Sequence, residues 1–219
     1  MLLHGYLSSK EAFLSQINYF SRFYKVTAID FLGMGKSPPL NVPFSVDDYA
    51  EWLYAVLTKL GIEKADVIAH SFGCRVAIKL AKTHRQVFDK MVLTGAAGVR
   101  FPKGIGYKLK VKAYRLCKKI APKFAEKRFG SKEYRSLSPM MKESYKKIVN
   151  EDLRLDATCV EEQVLIVQGK EDRVTPLKEA RAYLQAFPNA TLSMIEGGHF
   201  AFVEHPLAFN LTVEEFLQK

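Results

Sequence analysis

Short apolar runs rich in β-branched residues recur along this chain, and amphipathic stretches with helical spacing separate them. Tyr24–Asp30, Ala65–Ala69, Phe88–Leu93, Gln163–Val167 and Thr191–Ile195 read as strands, and Leu2-Leu3 as a strand fragment. Strands alternating with helices are the pattern of a parallel sheet covered by helices. Ser8 with Glu11 predicts a capping box opening a helix to about Arg22, and Ser45 with Asp48 a second, opening a helix to about Leu60. Phe72–Thr83 and Pro176–Phe187 continue the series, and a last helix starts at about Phe200 or Pro206. The expectation is an α/β chain with about six strands.

The alternation stops near Gly95. Residues 100–150 read as helical, without a strand, and they carry 16 Lys+Arg against 3 Asp+Glu, of 33 and 23 in the whole chain. That segment has a local net charge of +13 and leaves −3 for the rest, so the net +10 is a local property. Tyr107–Ile120 has a basic face (Lys108, Lys112, Arg115, Lys118, Lys119) opposite an apolar one (Leu109, Ala113, Leu116, Cys117, Ile120). The plain reading is a solvated helix face. A sharper one is attraction of anions, whether acidic membrane lipids met weakly by 107–120 or an anionic substrate. No nucleic-acid motif accompanies the charge.

Three cysteines, Cys74, Cys117 and Cys159, show neither metal-ligand spacing nor a disulfide framework, which fits a reducing cytoplasm. Met1–Gly5 does not read as a signal peptide, and no apolar run approaches the roughly 20 residues that span a bilayer. No metal or organic cofactor is expected.

In open parallel sheets, active sites lie at the carboxyl ends of the strands. Ala69-His70-Ser71-Phe72-Gly73 follows one strand and opens a helix. At such a turn a serine sits in a strained conformation, and small residues two before and two after it let strand and helix backbones approach. Ala69 and Gly73 meet that need. A serine hydroxyl needs a base to take its proton, and His199, after Gly197-Gly198 and the last predicted strand, is the candidate. An imidazole needs a carboxylate to hold its tautomer. Asp172, after the strand Gln163–Val167, is well placed, and Glu171 is its neighbour and competitor. The order Ser71, Asp172, His199, each just past a strand, is more specific than any one motif. Backbone N–H groups of Tyr6 and Phe72 are candidates for an oxyanion hole. His4 reads as structural. Arg75, one helical turn after Ser71, faces either the site or solvent. His70 and Arg75 are candidate substrate contacts.

With these motifs the chain resembles the α/β-hydrolase superfamily, in particular small cofactor-free serine hydrolases with a helical cap. The resemblance rests on His4-Gly5-Tyr6, the Asp30–Ser37 loop, the turn around Ser71, the Gly169–Pro176 stretch and Gly198-His199. It implies a three-layer fold with a core of residues 1–99 and 151–219 and a basic cap of 100–150. It also implies Ser71, Asp172 and His199 as a triad, Tyr6 and Phe72 as the oxyanion hole, and a structural role for the Asp30–Ser37 loop. Two departures stand out: two strands that usually precede His-Gly are absent from the sequence, and Cys74 stands where Gly is common. The first leaves Tyr24–Asp30 as an exposed sheet edge, which invites a homodimer. The expected reaction is hydrolysis of a carboxylic ester or related small acyl compound. The alternatives are acyl or thioester transfer, carbon–carbon cleavage or an elimination like that of the menaquinone-pathway synthase, and a non-catalytic ligand receptor on the same scaffold.

Overall fold

A computed structural model describes residues 1–102 and 137–219. Its centre is a six-stranded sheet in the order β2-β1-β3-β4-β5-β6, with every neighbouring pair parallel. The strands are β1 (Leu2–Leu3), β2 (Ala28–Ile29), β3 (Ala65–His70), β4 (Phe88–Thr94), β5 (Gln163–Gly169) and β6 (Ala190–Ile195). The helices are α1 (Leu14–Phe20), α2 (Val46–Lys59), α3 (Phe72–Thr83), α4 (Pro139–Val149), α5 (Arg154–Ala157), α6 (Leu177–Ala186), α7 (Ala201–Glu204) and α8 (Pro206–Leu217). Among the described residues no helix is long and apolar enough to cross a membrane.

Alternation along the strands builds two cores. Leu3, Val67, Ala69, Met91, Leu93, Val164 and Ile166 face one side, against α2, α3 and α6. Leu2, Ile68, Val92, Leu165 and Val167 face the other, with Phe13, Phe20, Phe202, Phe209 and Val213. A sheet buried on both faces needs continuous apolar runs, which is why these strands lack polar alternation. Truncating one such residue, Ile166→Ala for example, costs about 2–5 kcal/mol.

The Ser45–Asp48 capping box is present, with Ser45 Oγ accepting from the Asp48 N–H and Asp48 Oδ2 accepting from the Ser45 N–H. The first expected box is not. Ser9, not Ser8, precedes a 3-10 turn at Lys10–Phe13, and α1 begins only at Leu14. The reason is local: the Lys10 N–H donates to Asp30 Oδ1 at 2.7 Å, tying this turn to the next loop instead. The strand expected over Tyr24–Asp30 contracts to Ala28–Ile29, because its partner β1 offers only two residues to pair. β2 is still a sheet edge, as expected. The last helix divides at His205, since Pro206 starts a new helix but cannot continue one.

The basic helix read over 107–120 falls outside the described residues. Of segment 100–150, the structure describes 100–102 and 137–150, the latter containing α4, N-capped by Ser138.

Candidate active site

Ser71 sits between β3 and α3 with φ +51° and ψ −105°. For a non-glycine residue that backbone costs about 1–3 kcal/mol, and neighbours must hold it. The Ser71 N–H donates to the Thr94 carbonyl at the end of β4. Gly73 lies against β1: a Cβ there would stand 2.4 Å from the Leu3 carbonyl oxygen. Ala69 is fully buried, and the Cys74 thiol donates to its carbonyl, so the cysteine fits where a smaller residue is common. Phe72 is the first residue of α3, where N–H groups have no intrahelical acceptor.

β5 and β6 deliver the acid and the histidine. His199 Nδ1 lies 2.9 Å from Asp172 Oδ2. Asp172 Oδ1 accepts the N–H groups of Val174 and Thr175, and Oδ2 accepts the Thr175 hydroxyl at 2.7 Å. Burial opposes the Asp172 charge, but the bonds from His199 and Thr175 outweigh it and bring its pKa from 3.8 to about 2. An ionised carboxylate there holds the proton on Nδ1 and leaves Nε2 as the acceptor. Glu171 is exposed and takes no part in this pair. Gly197 makes the turn, with φ +104° and no room for a Cβ beside Glu204 Oε2.

The structure assigns different surroundings to the other candidates. His70, read as a substrate contact, is 1% exposed, and its Nε2 donates to the His199 carbonyl at 3.0 Å. It packs behind His199, with burial pushing its pKa down to about 3, so the ring is neutral. Arg75 is buried and borders the cavity in front of Ser71. His4 is structural as read: Nδ1 bonds the Gly5 carbonyl and Nε2 accepts the Phe31 N–H. Asp30 organises its own loop, accepting from the Lys10 and Lys36 N–H groups.

That cavity, about 690 Å³, also touches Tyr6, Phe72, Thr175 and Tyr145. The Tyr6 ring packs on Phe72, and its hydroxyl donates to the Met141 carbonyl, joining the loop after β1 to α4. Thr175 was not anticipated. Its signal was its place three residues after Asp172, the spacing at which a hydroxyl closes back on an aspartate.

Residues 1–113 match the family described as α/β hydrolase fold, and 140–219 match one described as TAP-like protein. The chain belongs to the α/β-hydrolase family. A 2-hydroxymuconate semialdehyde hydrolase of Pseudomonas putida is 29% identical over 219 residues, covering 90% of this chain and 78% of that protein. The crystal structure of a meta-cleavage product hydrolase from Pseudomonas fluorescens superposes with a TM-score of 0.74 at 25% identity, covering 99% of this chain and 89% of that one. A hydrolase from Pseudomonas aeruginosa gives 0.78 at 20% identity, covering 100% and 89%, a likeness of fold. The α/β-hydrolase relatives support hydrolytic activity.

Proposed function

We propose that this α/β hydrolase is a serine hydrolase that cleaves a carboxylic ester or related acyl compound through an acyl-enzyme on Ser71. The observation that carries the reading is the His199–Asp172 pair at 2.9 Å, set at the ends of β6 and β5 beside the strained turn holding Ser71. His199 Nε2 takes the Ser71 proton as Oγ attacks the acyl carbon. The oxyanion is met by the N–H groups of Tyr6 and Phe72, a type of contact worth about 10²–10³ in rate. Collapse expels the alcohol, which takes the proton from His199. Water, deprotonated by the same imidazole, then frees the acid and restores Ser71.

The test is labelling by a fluorophosphonate, followed by turnover of p-nitrophenyl esters across acyl lengths. Wild type labels, and Ser71→Ala does not. A folded wild type that stays unlabelled defeats the activated-serine reading.

A second reading is cleavage of a carbon–carbon bond by the same residues. The names of the Pseudomonas relatives favour it, since they act on a hydroxymuconate semialdehyde and on a meta-cleavage product. Loss of the visible absorbance of a meta-cleavage product, with no turnover of any ester, decides for this reading.

A further inference from the structure

Arg75 lies one turn after Ser71 on α3, and only 8% of it is exposed. Its Nη1 donates to the carbonyls of Ile148, at 2.9 Å, and Glu151, at 3.2 Å. Those acceptors sit at the carboxyl end of α4, where the helix dipole supplies about half a negative charge. Among the described residues no carboxylate is ion-paired with this guanidinium, and its Nε and Nη2 have no protein acceptor. A buried cation this short of counter-charge is costly unless something else completes it. Burial accordingly depresses its pKa, although guanidinium stays charged.

The open edge has a shape as well as a charge. Nε–H and one Nη2–H of a guanidinium form a planar fork that matches the two oxygens of a carboxylate. Arg75 borders the same cavity as Ser71. Arg100 and Lys178 border it too, and Glu179 is the sole acid among its described lining residues. Glu179 is discouraged from ionising by burial, although Arg75 acts the other way.

We propose that the Nε/Nη2 edge of Arg75 is a carboxylate subsite, and that the substrate is an acyl compound bearing a free acid a few bonds from the carbonyl that Ser71 attacks. The inference rests on the serine-hydrolase reading and adds the class of substrate. Arg75 thereby joins two partners through one side chain, the end of α4 through Nη1 and the substrate acid through the fork.

The experiment compares mono-p-nitrophenyl esters of the diacids from succinic to suberic with p-nitrophenyl esters of the matching neutral monoacids, spontaneous hydrolysis subtracted. Wild type favours the acid at one or more chain lengths by about tenfold in kcat/KM, the scale of one charge-assisted hydrogen bond. Arg75→Gln abolishes that ratio. Arg75→Lys, which keeps the charge but lacks the fork, retains part of it and serves if the Gln variant does not fold. No preference for the acid at any length overturns the subsite. So does an equal fall for acid and neutral esters in both variants, since Arg75 would then only hold α4. Fluorophosphonate labelling separates the two layers: a labelled enzyme without acid preference loses the subsite alone, whereas an unlabelled one loses the serine mechanism beneath it.

Discussion

The ring of His70 donates a hydrogen bond to the backbone carbonyl of His199, 3.0 Å away. The residue before the candidate nucleophile thus fixes the main chain of the candidate base. His70→Gln places an amide donor near the same point and keeps most activity, whereas His70→Leu, with no donor, loses about tenfold in kcat. Equal rates for the two variants would remove the positioning role.

The same imidazole makes stability depend on pH. Its pKa falls from 6.5 in the unfolded chain to about 3 in the fold, because burial disfavours the cation. Its contribution is complete above pH 6.5 and is eroded as pH falls toward 3, by about 2 kcal/mol at pH 5. His4 is shifted the same way by burial and adds to the slope. Thermal unfolding between pH 7 and 4 should show a shallower loss in His70→Gln than in wild type. Parallel curves would mean that His70 titrates normally.

Asp172 gives a second, more acidic window. Its folded pKa is depressed, so its contribution is present above about 4 and lost as pH falls to about 2, amounting to about 2 kcal/mol. Asp172→Asn should flatten unfolding curves over that window and lower kcat by about 10³–10⁴, with Glu171→Gln close to wild type. A dead Glu171→Gln beside an active Asp172→Asn would reassign the acid.

Gly73→Ala tests the contact between α3 and the first strand. The added methyl meets the Leu3 carbonyl at 2.4 Å and that of His4 at 2.9 Å, backbone atoms that cannot turn aside. The cost is about 2–3 kcal/mol, seen as a Tm lower by about 5–10 °C, with slower fluorophosphonate labelling because the Tyr6 loop follows directly. An unchanged Tm would show that β1 yields freely.

Lys79 bonds three carboxylates, Asp47 at 3.1 Å, Glu151 at 2.6 Å and Asp156 at 3.4 Å, with its side chain 10% exposed. Lys79→Met strands acids gathered around it and costs about 2–3 kcal/mol, below the full penalty for a buried pair because Asp47 is exposed. Adding Asp156→Leu recovers part of the loss. Denaturant unfolding within about 0.5 kcal/mol of wild type would make the cluster a surface ornament.

Strand and helix positions were legible because burial on both faces of a parallel sheet writes unbroken apolar runs, as in Val164–Val167. The placement of the candidates Ser71, Asp172 and His199 was legible because each follows the end of a strand. What escaped were roles set by contacts between distant segments. The sequence around His70 does not reveal that its ring reaches the carbonyl of His199, or that Arg75 reaches Ile148. The contraction of Tyr24–Asp30 was hidden too, since a strand's length depends on its partner and not on its own propensity. Thr175 lay in plain view, but only a carboxylate with two occupied oxygens shows why a hydroxyl is wanted there.

One helix, α3, begins just after Ser71 and presents Arg75 and Lys79 on successive turns, both reaching Glu151. This dictates where the gene can be spliced. A chimera that exchanges residues 103–136 for a foreign segment keeps these anchors, because they fall after the junction. A junction placed at 152 severs them, and the recombinant inherits a candidate nucleophile whose helix has lost its mooring.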